Sequence, residues 1–342
     1  MKTNKTNLKS RIFAVMVSVM LLATCFMSTT AFANTDDDAI ATFHKVLTVE
    51  DGVKVPPATF NFTITNGDAN YTDGNTIDAG FKANDVVVNP VSFGPTDTVV
   101  DGEVKKELKV DFTKVNWEAP GVYHYVLTET QGNQNGITYD STAYDLYVTV
   151  VYAEDGNNLK VESYKMIDPN GSKDDKEDGN INNSYETANL TLKKEVTGNQ
   201  GDKKKEFNFT ITFDGGTKDT VLNIIGSEND NRITIDESGK ATANVHLSNG
   251  ESVTVYGLTK GMTYDIQETE ANQNGYATTV TEGEKSGTIT DTDTDVSVTF
   301  TNAKEGTVPT GILLETAPYM ILGAVVLAGI VVLFVTRRRR SH

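Results

Sequence analysis

Lysine, glutamate and asparagine recur in the same order in two halves of the chain, at positions where they could act together. They are Lys45, Glu129 and Asn183 in the first half and Lys194, Glu268 and Asn302 in the second. Burial would lower the pKa of a lysine towards a neutral, nucleophilic amine and raise that of a glutamate. Such a glutamate could act as a general acid and base beside the amide. The simpler alternative is a buried Lys–Glu ion pair with a hydrogen-bonded asparagine beside it.

These six residues are predicted to point inward, because side chains alternate between the two faces of a strand. Each shares its strand face with apolar residues two or four positions away. The stretches that carry this pattern are 41–47, 190–196, 125–129, 264–268, 181–183 and 296–302. A charged lysine on such a face is costly, so each lysine should have a partner or a chemical role.

Short stretches rich in Thr, Val, Tyr and Phe are separated by Asn-Gly, Asp-Gly and Gly-Gly turns, a pattern typical of strands. The clearest predicted strands are 104–110, 123–128, 144–152, 253–256 and 296–300. No long stretch with the apolar period of an amphipathic helix interrupts them. The sequence therefore predicts an all-β protein with two tandem immunoglobulin-like β-sandwich domains.

The chain also repeats itself, which indicates two related domains. Phe-Asn-Phe-Thr-Ile-Thr at 60–65 recurs at 207–212, and the Glu-Thr and Asn-Gln-Asn-Gly motifs within 129–136 recur within 268–275. The matches keep their order and similar spacing. We expect the domains at 34–186 and 187–305, with the polar stretch 168–180 as an exposed loop late in the first.

This arrangement resembles the pilin domains that form an autocatalytic Lys–Asn isopeptide bond. The two-domain layout resembles the backbone (major) pilins of the streptococcal T-antigen type. The motifs that carry the resemblance are Leu-Thr-Leu-Lys-Lys at 190–194, Phe-Thr-Asn at 300–302 and Tyr-x-x-x-Glu at 125–129 and 264–268. Three motifs in the same order, twice, are a more specific signal than any one of them.

The resemblance implies one covalent crosslink in each domain, formed between the first and the last strand. The implied bonds are Lys45–Asn183 and Lys194–Asn302, with Glu129 and Glu268 as the catalysts of bond formation. Asparagine suits this chemistry because its amide supplies a leaving group without adding a second buried charge.

The C-terminal segment 306–342 carries Val-Pro-Thr-Gly at 308–311, then an apolar run at 319–335 and four arginines at 337–340. The run is about long enough to cross a bilayer as a transmembrane helix, with the arginines on the cytoplasmic side. The segment resembles the sorting signal that sortases read on Gram-positive surface proteins. The resemblance implies cleavage between Thr310 and Gly311 and transfer of the threonyl carboxyl to an amine. A permanent membrane anchor is the alternative.

The N-terminal segment 1–33 has the layout of a secretory signal peptide. Basic residues precede an apolar stretch at 12–27, and Ala-Phe-Ala at 31–33 supplies the small residues of a cleavage site. Cys25 is the only cysteine and would leave with this segment. The mature chain is therefore expected to work outside the cell without a disulfide, so another feature must stabilise its fold.

Charge and composition exclude several functions. The formal net charge is −17, and because both terminal segments are basic, the part between them is more acidic still. Such a surface repels nucleic acid. The three histidines outside the C-terminal segment, at 44, 124 and 246, have no partnering nucleophile, and no metal-ligand cluster is evident. We expect no cofactor, no metal and no enzyme activity on an outside substrate.

The expected function is that of the major structural subunit of a covalently polymerised cell-surface pilus. The implied partners are a sortase, identical subunits, minor tip and base pilins and peptidoglycan. By family analogy, a lysine near the end of the first domain accepts each incoming Thr310; Lys176 is our choice, with Lys173 nearby. The Tyr-Pro-Lys acceptor motif of other pilins is absent. The alternative is a monomeric cell-wall-anchored adhesin with the same internal crosslinks.

Overall fold

The computed structural model describes residues 39–72, 75–169, 179–226 and 231–306, and strands dominate these residues. Strands of the first half are β1 (Ile40–Val49), β2 (Ala58–Phe60), β3 (Phe62–Asn66), β4 (Asn70–Thr72), β5 (Asn75–Ala79), β6 (Val87–Val88), β7 (Val91–Phe93), β8 (Glu103–Asp111), β9 (Gly121–Glu129), β10 (Ile137–Thr138), β11 (Ala143–Tyr152), β12 (Leu159–Ile167) and β13 (Asn180–Tyr185). A 3₁₀ helix spans Ala83–Asp85.

Strands of the second half are β14 (Ala188–Thr197), β15 (Phe207–Asp214), β16 (Val221–Ile225), β17 (Asn231–Thr234), β18 (Ala241–Leu247), β19 (Ser252–Leu258), β20 (Thr263–Glu268), β21 (Ala277–Glu282), β22 (Ser286–Thr288) and β23 (Val296–Ala303). The five clearest predicted strands correspond to β8, β9, β11, β19 and β23. Each observed strand extends its predicted range at one end or at both.

Each half folds as a sandwich of two main sheets around its own core. In the first half, the order β10-β13-β1-β8-β6 faces the order β12-β11-β9-β5-β4, with β3 on β9 and a small β2-β7 pair. In the second half, β17-β16-β19-β14-β23-β21 faces β18-β15-β20-β22. The two cores are separate clusters of buried apolar side chains. The predicted fold class, two tandem immunoglobulin-like sandwiches, is confirmed.

The first and last strands of each half lie side by side and parallel in one sheet. β1 pairs with β13, and β14 pairs with β23 along eight consecutive residues. Along β14, buried and partly exposed positions alternate strictly up to Val196, which is the pattern of a strand with one face on the core. This parallel pairing brings the two ends of each domain together.

The repeated Asn-Gln-Asn-Gly motif forms the turn that leads into the strand beside the last strand. Gly136 and Gly275 both have φ of +80°, a left-handed conformation that glycine adopts without strain. After these turns, β10 and β21 run antiparallel to β13 and β23. β10 has only two residues, however, whereas β21 continues for six.

The two sandwiches contact each other through the loop that follows β1. The Asn223 side-chain amide of the second sandwich donates a hydrogen bond of 2.8 Å to the Gly52 carbonyl oxygen. The Tyr256 ring packs against the first core as a partly buried side chain. The first sandwich is therefore in direct contact with strands of the second.

Several predicted features lie outside the described residues. These are the signal peptide, most of the loop predicted at 168–180, and the segment from 307 onwards with its predicted membrane span. Asn180, predicted as the end of that loop, instead opens β13. Within the residues that the structure describes, no helix is long and apolar enough to span a membrane.

Candidate functional site

The parallel pairing of first and last strands puts a lysine and an asparagine on the same inner face. Lys45 lies opposite Ile181, and Asn183 follows two residues later on β13. Lys194 likewise lies opposite Phe300, and Asn302 follows two residues later. Since side chains two residues apart share a face, both pairs point into the cores.

The glutamate of each triad comes from the facing sheet, at the C-terminal end of a strand. Glu129 ends β9 and Glu268 ends β20. Each is paired in register with the second phenylalanine of the repeated Phe-Asn-Phe motif, Phe62 or Phe209. The two sites are thus built in the same way, and the glutamate reaches across the sandwich to meet the lysine and the asparagine.

In the first domain, one carboxylate contacts both other members of the triad. Lys45 Nζ lies 2.8 Å from Glu129 Oε2, and Asn183 Nδ2 donates to Glu129 Oε1 at 2.7 Å. Lys45 Nζ also donates to the Ile181 carbonyl oxygen at 3.1 Å. The Asn183 carbonyl oxygen accepts a hydrogen bond of 2.8 Å from the Asp140 backbone N–H. Every polar group of this side-chain amide is therefore aimed at a named partner.

The second domain repeats the carboxylate bridge but not the last contact. Lys194 Nζ lies 2.9 Å from Glu268 Oε2, and Asn302 Nδ2 donates to Glu268 Oε1 at 2.5 Å. The carbonyl oxygen of Asn302 is buried and has no hydrogen-bond partner among the described residues. The two triads share their carboxylate geometry but differ at the amide oxygen.

Both lysines are completely buried against aromatic rings. Lys45 and Lys194 are each 0% exposed, and the other four triad residues are buried as well. The Nζ atom of Lys45 lies 4.8 Å from the Phe60 ring centroid, and that of Lys194 lies 4.4 Å from the Phe207 ring centroid. Phe60 and Phe207 are equivalent residues of the sequence repeat. The repeat thus supplies the apolar wall that keeps water from each amine.

Burial moves the protonation states towards the neutral forms. It lowers the pKa of Lys45 and of Lys194, and the glutamates oppose this shift through hydrogen bonding and charge. Burial also raises the pKa of Glu129, against the opposing hydrogen bonds from Asn183 and Lys45. In the first domain both shifts favour transfer of a proton from ammonium to carboxylate. These directions favour a neutral amine next to a carboxylic acid over an ion pair.

This arrangement can support attack of an amine on a carboxamide. The glutamate holds both reacting groups, since each of its oxygens contacts one of them, and such positioning replaces a diffusional encounter. The same contacts would also serve the simpler alternative, an ion pair with an asparagine beside it. The crosslinking roles of the six residues therefore stay predictions.

Three further predicted site residues belong to the sortase linkage and its acceptor. Thr310, Gly311 and Lys176 lie outside the described residues. No group of three or more potential metal ligands occurs in the described parts of the chain. His124, grouped in the sequence with the scattered histidines, is buried: its Nε2 lies 2.8 Å from Asp145 Oδ1 and its Nδ1 lies 3.0 Å from the Asp68 carbonyl oxygen.

Sequence reasoning did not find Asp140, which contacts the amide through its main chain. A backbone N–H is present in every residue except proline, so residue type carries no signal of this role. The only hint in the sequence is comparative. After the shared Asn-Gln-Asn-Gly motif the two domains diverge, as Ile-Thr-Tyr-Asp at 137–140 and Tyr-Ala-Thr-Thr at 276–279.

Comparison with known proteins matches both halves of the chain. Residues 41–186 match the family model of the Spy0128-like isopeptide containing domain, and residues 188–304 match that of a domain of unknown function (DUF7601). A pilin of Streptococcus pyogenes serotype M1 is 30% identical over 300 residues, which cover 82% of this chain and 85% of that pilin.

Solved structures of major pilins are also similar. The major pilin protein T3.2 of Streptococcus pyogenes is 29% identical with a TM-score of 0.57, and the match covers 80% of this chain and 100% of that one. Another major pilin of Streptococcus pyogenes is 26% identical with a TM-score of 0.54, over 78% of this chain and 99% of that one. The pilus tip adhesin Cpa of Streptococcus pyogenes is 35% identical over 131 residues, which are 37% of this chain but only 18% of the adhesin.

Proposed function

We propose, given that this chain belongs to the pilin family and is a backbone subunit of a cell-surface pilus, that two internal Lys–Asn isopeptide bonds stabilise it and that a sortase joins it to the next subunit. The expected domain limits, 34–186 and 187–305, assign one bond to each domain. The observation that carries the proposal is the carboxylate that bridges a buried amine and a buried carboxamide, present twice.

The internal reaction needs no cofactor. Neutral Lys45 Nζ attacks Asn183 Cγ, so that a C–N bond forms and the carbonyl electrons move onto oxygen. Glu129 takes a proton from the attacking nitrogen and gives one to Nδ2. The Cγ–Nδ2 bond then breaks, the carbonyl re-forms and ammonia leaves. The same steps apply to the second triad, and each bond removes one ammonia from the mass of the chain.

Each bond would stabilise its domain by reducing the conformational entropy of the unfolded chain. The second-domain bond closes a loop of about 110 residues and the first-domain bond one of about 140, which correspond to about 5 kcal/mol each in the loop-closure picture. These crosslinks would replace the disulfides that the mature chain lacks.

Polymerisation is proposed to use the C-terminal sorting signal. A sortase would cleave after Thr310, release Gly311 and the apolar segment, and transfer the threonyl carbonyl to the side-chain amine of Lys176 in another subunit. The signal peptide would direct secretion, and the apolar segment would hold the precursor in the membrane until cleavage. Minor tip and base pilins and the peptidoglycan of the cell wall are the expected further partners.

This linkage predicts how tension would cross a subunit. If force enters at Lys176 and leaves at Thr310, it passes the end of the first domain and then the whole second domain. The Lys194–Asn302 bond would bear that tension, since it joins the first and last strands of the loaded domain. The Lys45–Asn183 bond would mainly resist unfolding and proteolysis.

Intact-mass measurement on recombinant residues 34–310 tests the internal bonds. We expect a mass that is two ammonias below the translated formula, with branched peptides that join Lys45 to Asn183 and Lys194 to Asn302. Asn183→Ala and Asn302→Ala should each restore one ammonia. A chain with the full translated mass would disprove the crosslinks and leave two buried ion pairs.

Electrophoresis of cell-surface extracts tests the polymer. A backbone subunit should give a ladder of high-mass species that survives boiling in detergent, and Thr310→Ala should abolish it. A single wall-linked band would instead support the monomeric adhesin. Lys176→Arg tests the acceptor, with Lys173→Arg as the matched control from the same segment.

A further inference from the structure

The two crosslinking sites differ at the carbonyl oxygen that must become negative during the reaction. In the first domain this oxygen accepts a hydrogen bond of 2.8 Å from the Asp140 N–H. In the second domain the corresponding Asn302 oxygen has no such partner within the described residues. We propose that the backbone N–H of Asp140 is a catalytic group of the first site, an oxyanion donor without a counterpart in the second site. This inference rests on the proposed isopeptide chemistry.

The path of the chain explains why, among the described residues, the first site has this donor and the second does not. β10 leaves the ladder after Thr138, which is the last residue paired with β13. Asp140, two residues later, turns its N–H to the Asn183 side chain. By the alignment of the Asn-Gln-Asn-Gly motifs, Thr279 corresponds to Asp140, but Thr279 stays within β21 and pairs with Thr301.

Asp140 is held in this position by hydrogen bonds of its own. Its carboxylate accepts from the Thr142 N–H at 2.7 Å and from the Tyr144 hydroxyl at 2.6 Å. Its carbonyl oxygen accepts from the Gln131 side-chain amide at 2.6 Å. The N–H is therefore pre-organised, and a fixed donor needs no reorganisation as charge develops on the oxygen.

The same N–H also determines how the Asn183 carboxamide is oriented. With Nδ2 on Glu129 and the oxygen on Asp140, every contact joins a donor to an acceptor. Rotation of the amide by half a turn would place its NH₂ group against another N–H, so this network permits one orientation. Glu129 therefore faces the nitrogen that leaves as ammonia, and Asp140 faces the oxygen.

The Asp140 N–H and the Glu129 carboxyl group thus have different roles in the first site. When Lys45 Nζ bonds to Asn183 Cγ, the carbonyl electron pair moves to oxygen and the Asp140 N–H stabilises the negative charge. Glu129 transfers a proton from Nζ to Nδ2, the Cγ–Nδ2 bond breaks and ammonia leaves. In the second site, Glu268 contacts the amide nitrogen in the same way, but no described residue donates to the corresponding oxygen.

The test replaces Asp140 by proline, which has no N–H, and compares it with Asp140→Ala, which keeps the N–H and loses only the carboxylate. The full chain is made by cell-free synthesis, quenched in acid at timed intervals and digested. The branched peptides of the two domains are then quantified separately. Loss of one oxyanion donor typically slows a reaction by about 100-fold. We expect the Lys45–Asn183 bond to form about 100-fold more slowly in the proline variant than in the alanine variant.

The Lys194–Asn302 bond, formed in the same molecule, is the internal control and should keep its rate. Equal first-domain rates in the proline and alanine variants would overturn the inference. If proline prevents the first domain from folding, an α-hydroxy acid analogue of aspartate at position 140 replaces the N–H by an ester oxygen with little change of shape. The same slowing is expected, and an unchanged rate would again overturn the inference. A wild-type chain that loses no ammonia would instead refute the proposed chemistry itself.

Discussion

Replacing Asn302 by alanine should remove the proposed second-domain crosslink and leave the buried Lys194–Glu268 pair in place. The crosslink closes a loop of about 110 residues, so its loss should cost about 5 kcal/mol of unfolding free energy. The Asn302 Nδ2 atom that donates to Glu268 leaves as ammonia when the crosslink forms, so that hydrogen bond adds nothing to the stability of the crosslinked wild type. For a domain of this size, about 5 kcal/mol corresponds to a fall in Tm of roughly 20 °C.

The assay is differential scanning calorimetry of residues 34–310, combined with intact mass to count the ammonias lost. Asn249→Ala is the matched control, because Asn249 lies in the same domain and its carbonyl oxygen accepts a single hydrogen bond from the Val196 N–H. It should lower the Tm of the second domain by only a few degrees and keep both crosslinks. The transition of the first domain should be unchanged in both variants.

One result would refute the reasoning about loop closure. Suppose that intact mass shows one lost crosslink in Asn302→Ala but the second domain melts within a few degrees of wild type. The bond then does not stabilise the domain by restricting its unfolded state. A fall in Tm equal to that of Asn249→Ala would lead to the same conclusion, because truncation of one asparagine side chain would then explain the effect.

Three further predictions test the sites separately. Glu129→Ala should prevent the Lys45–Asn183 bond and destabilise the first domain, because the buried amine is left unpaired at a cost of about 3–5 kcal/mol in addition to the lost crosslink. Intact mass and limited proteolysis measure this, and a normal first-domain bond would contradict it. Crosslinking should slow as pH falls through the lowered pKa of Lys45 and Lys194, because the ammonium form has no lone pair for attack. Timed mass spectra after refolding at several pH values measure the rate, and a rate independent of pH would contradict the prediction. In single-molecule pulling between residues 176 and 310, Asn302→Ala should add extension, because the second domain can then unfold under load. Asn183→Ala should add none. Unchanged extensibility of Asn302→Ala would refute the proposed force path.

Much of the site could be predicted because strand alternation is a local property of the sequence. Lys45 sits between apolar residues at every second position, and so does Lys194, so their burial follows from neighbours that the sequence itself displays. The repeat and the turn motifs were equally local, and they indicated two sandwiches without any knowledge of the sheet order.

The contacts between the sheets could not be predicted in the same way. Nothing in the spacing of Lys45, Glu129 and Asn183 states that β13 runs parallel to β1, or that Glu129 reaches across from the facing sheet. Residues far apart along the chain meet only through packing. Their register is therefore a property of the folded domain.

By itself, the sequence determined the all-β class, the two-fold repeat and the six inward-facing polar residues, since each depends on neighbours within a few positions. Only the tertiary structure decided that one carboxylate bridges amine and amide in each core, and that the two sites are unequal. That inequality comes from the Asp140 N–H, a main-chain group that residue type does not mark. Its role depends on where β10 leaves the ladder, and the position of a strand end relative to a distant side chain is a consequence of three-dimensional packing.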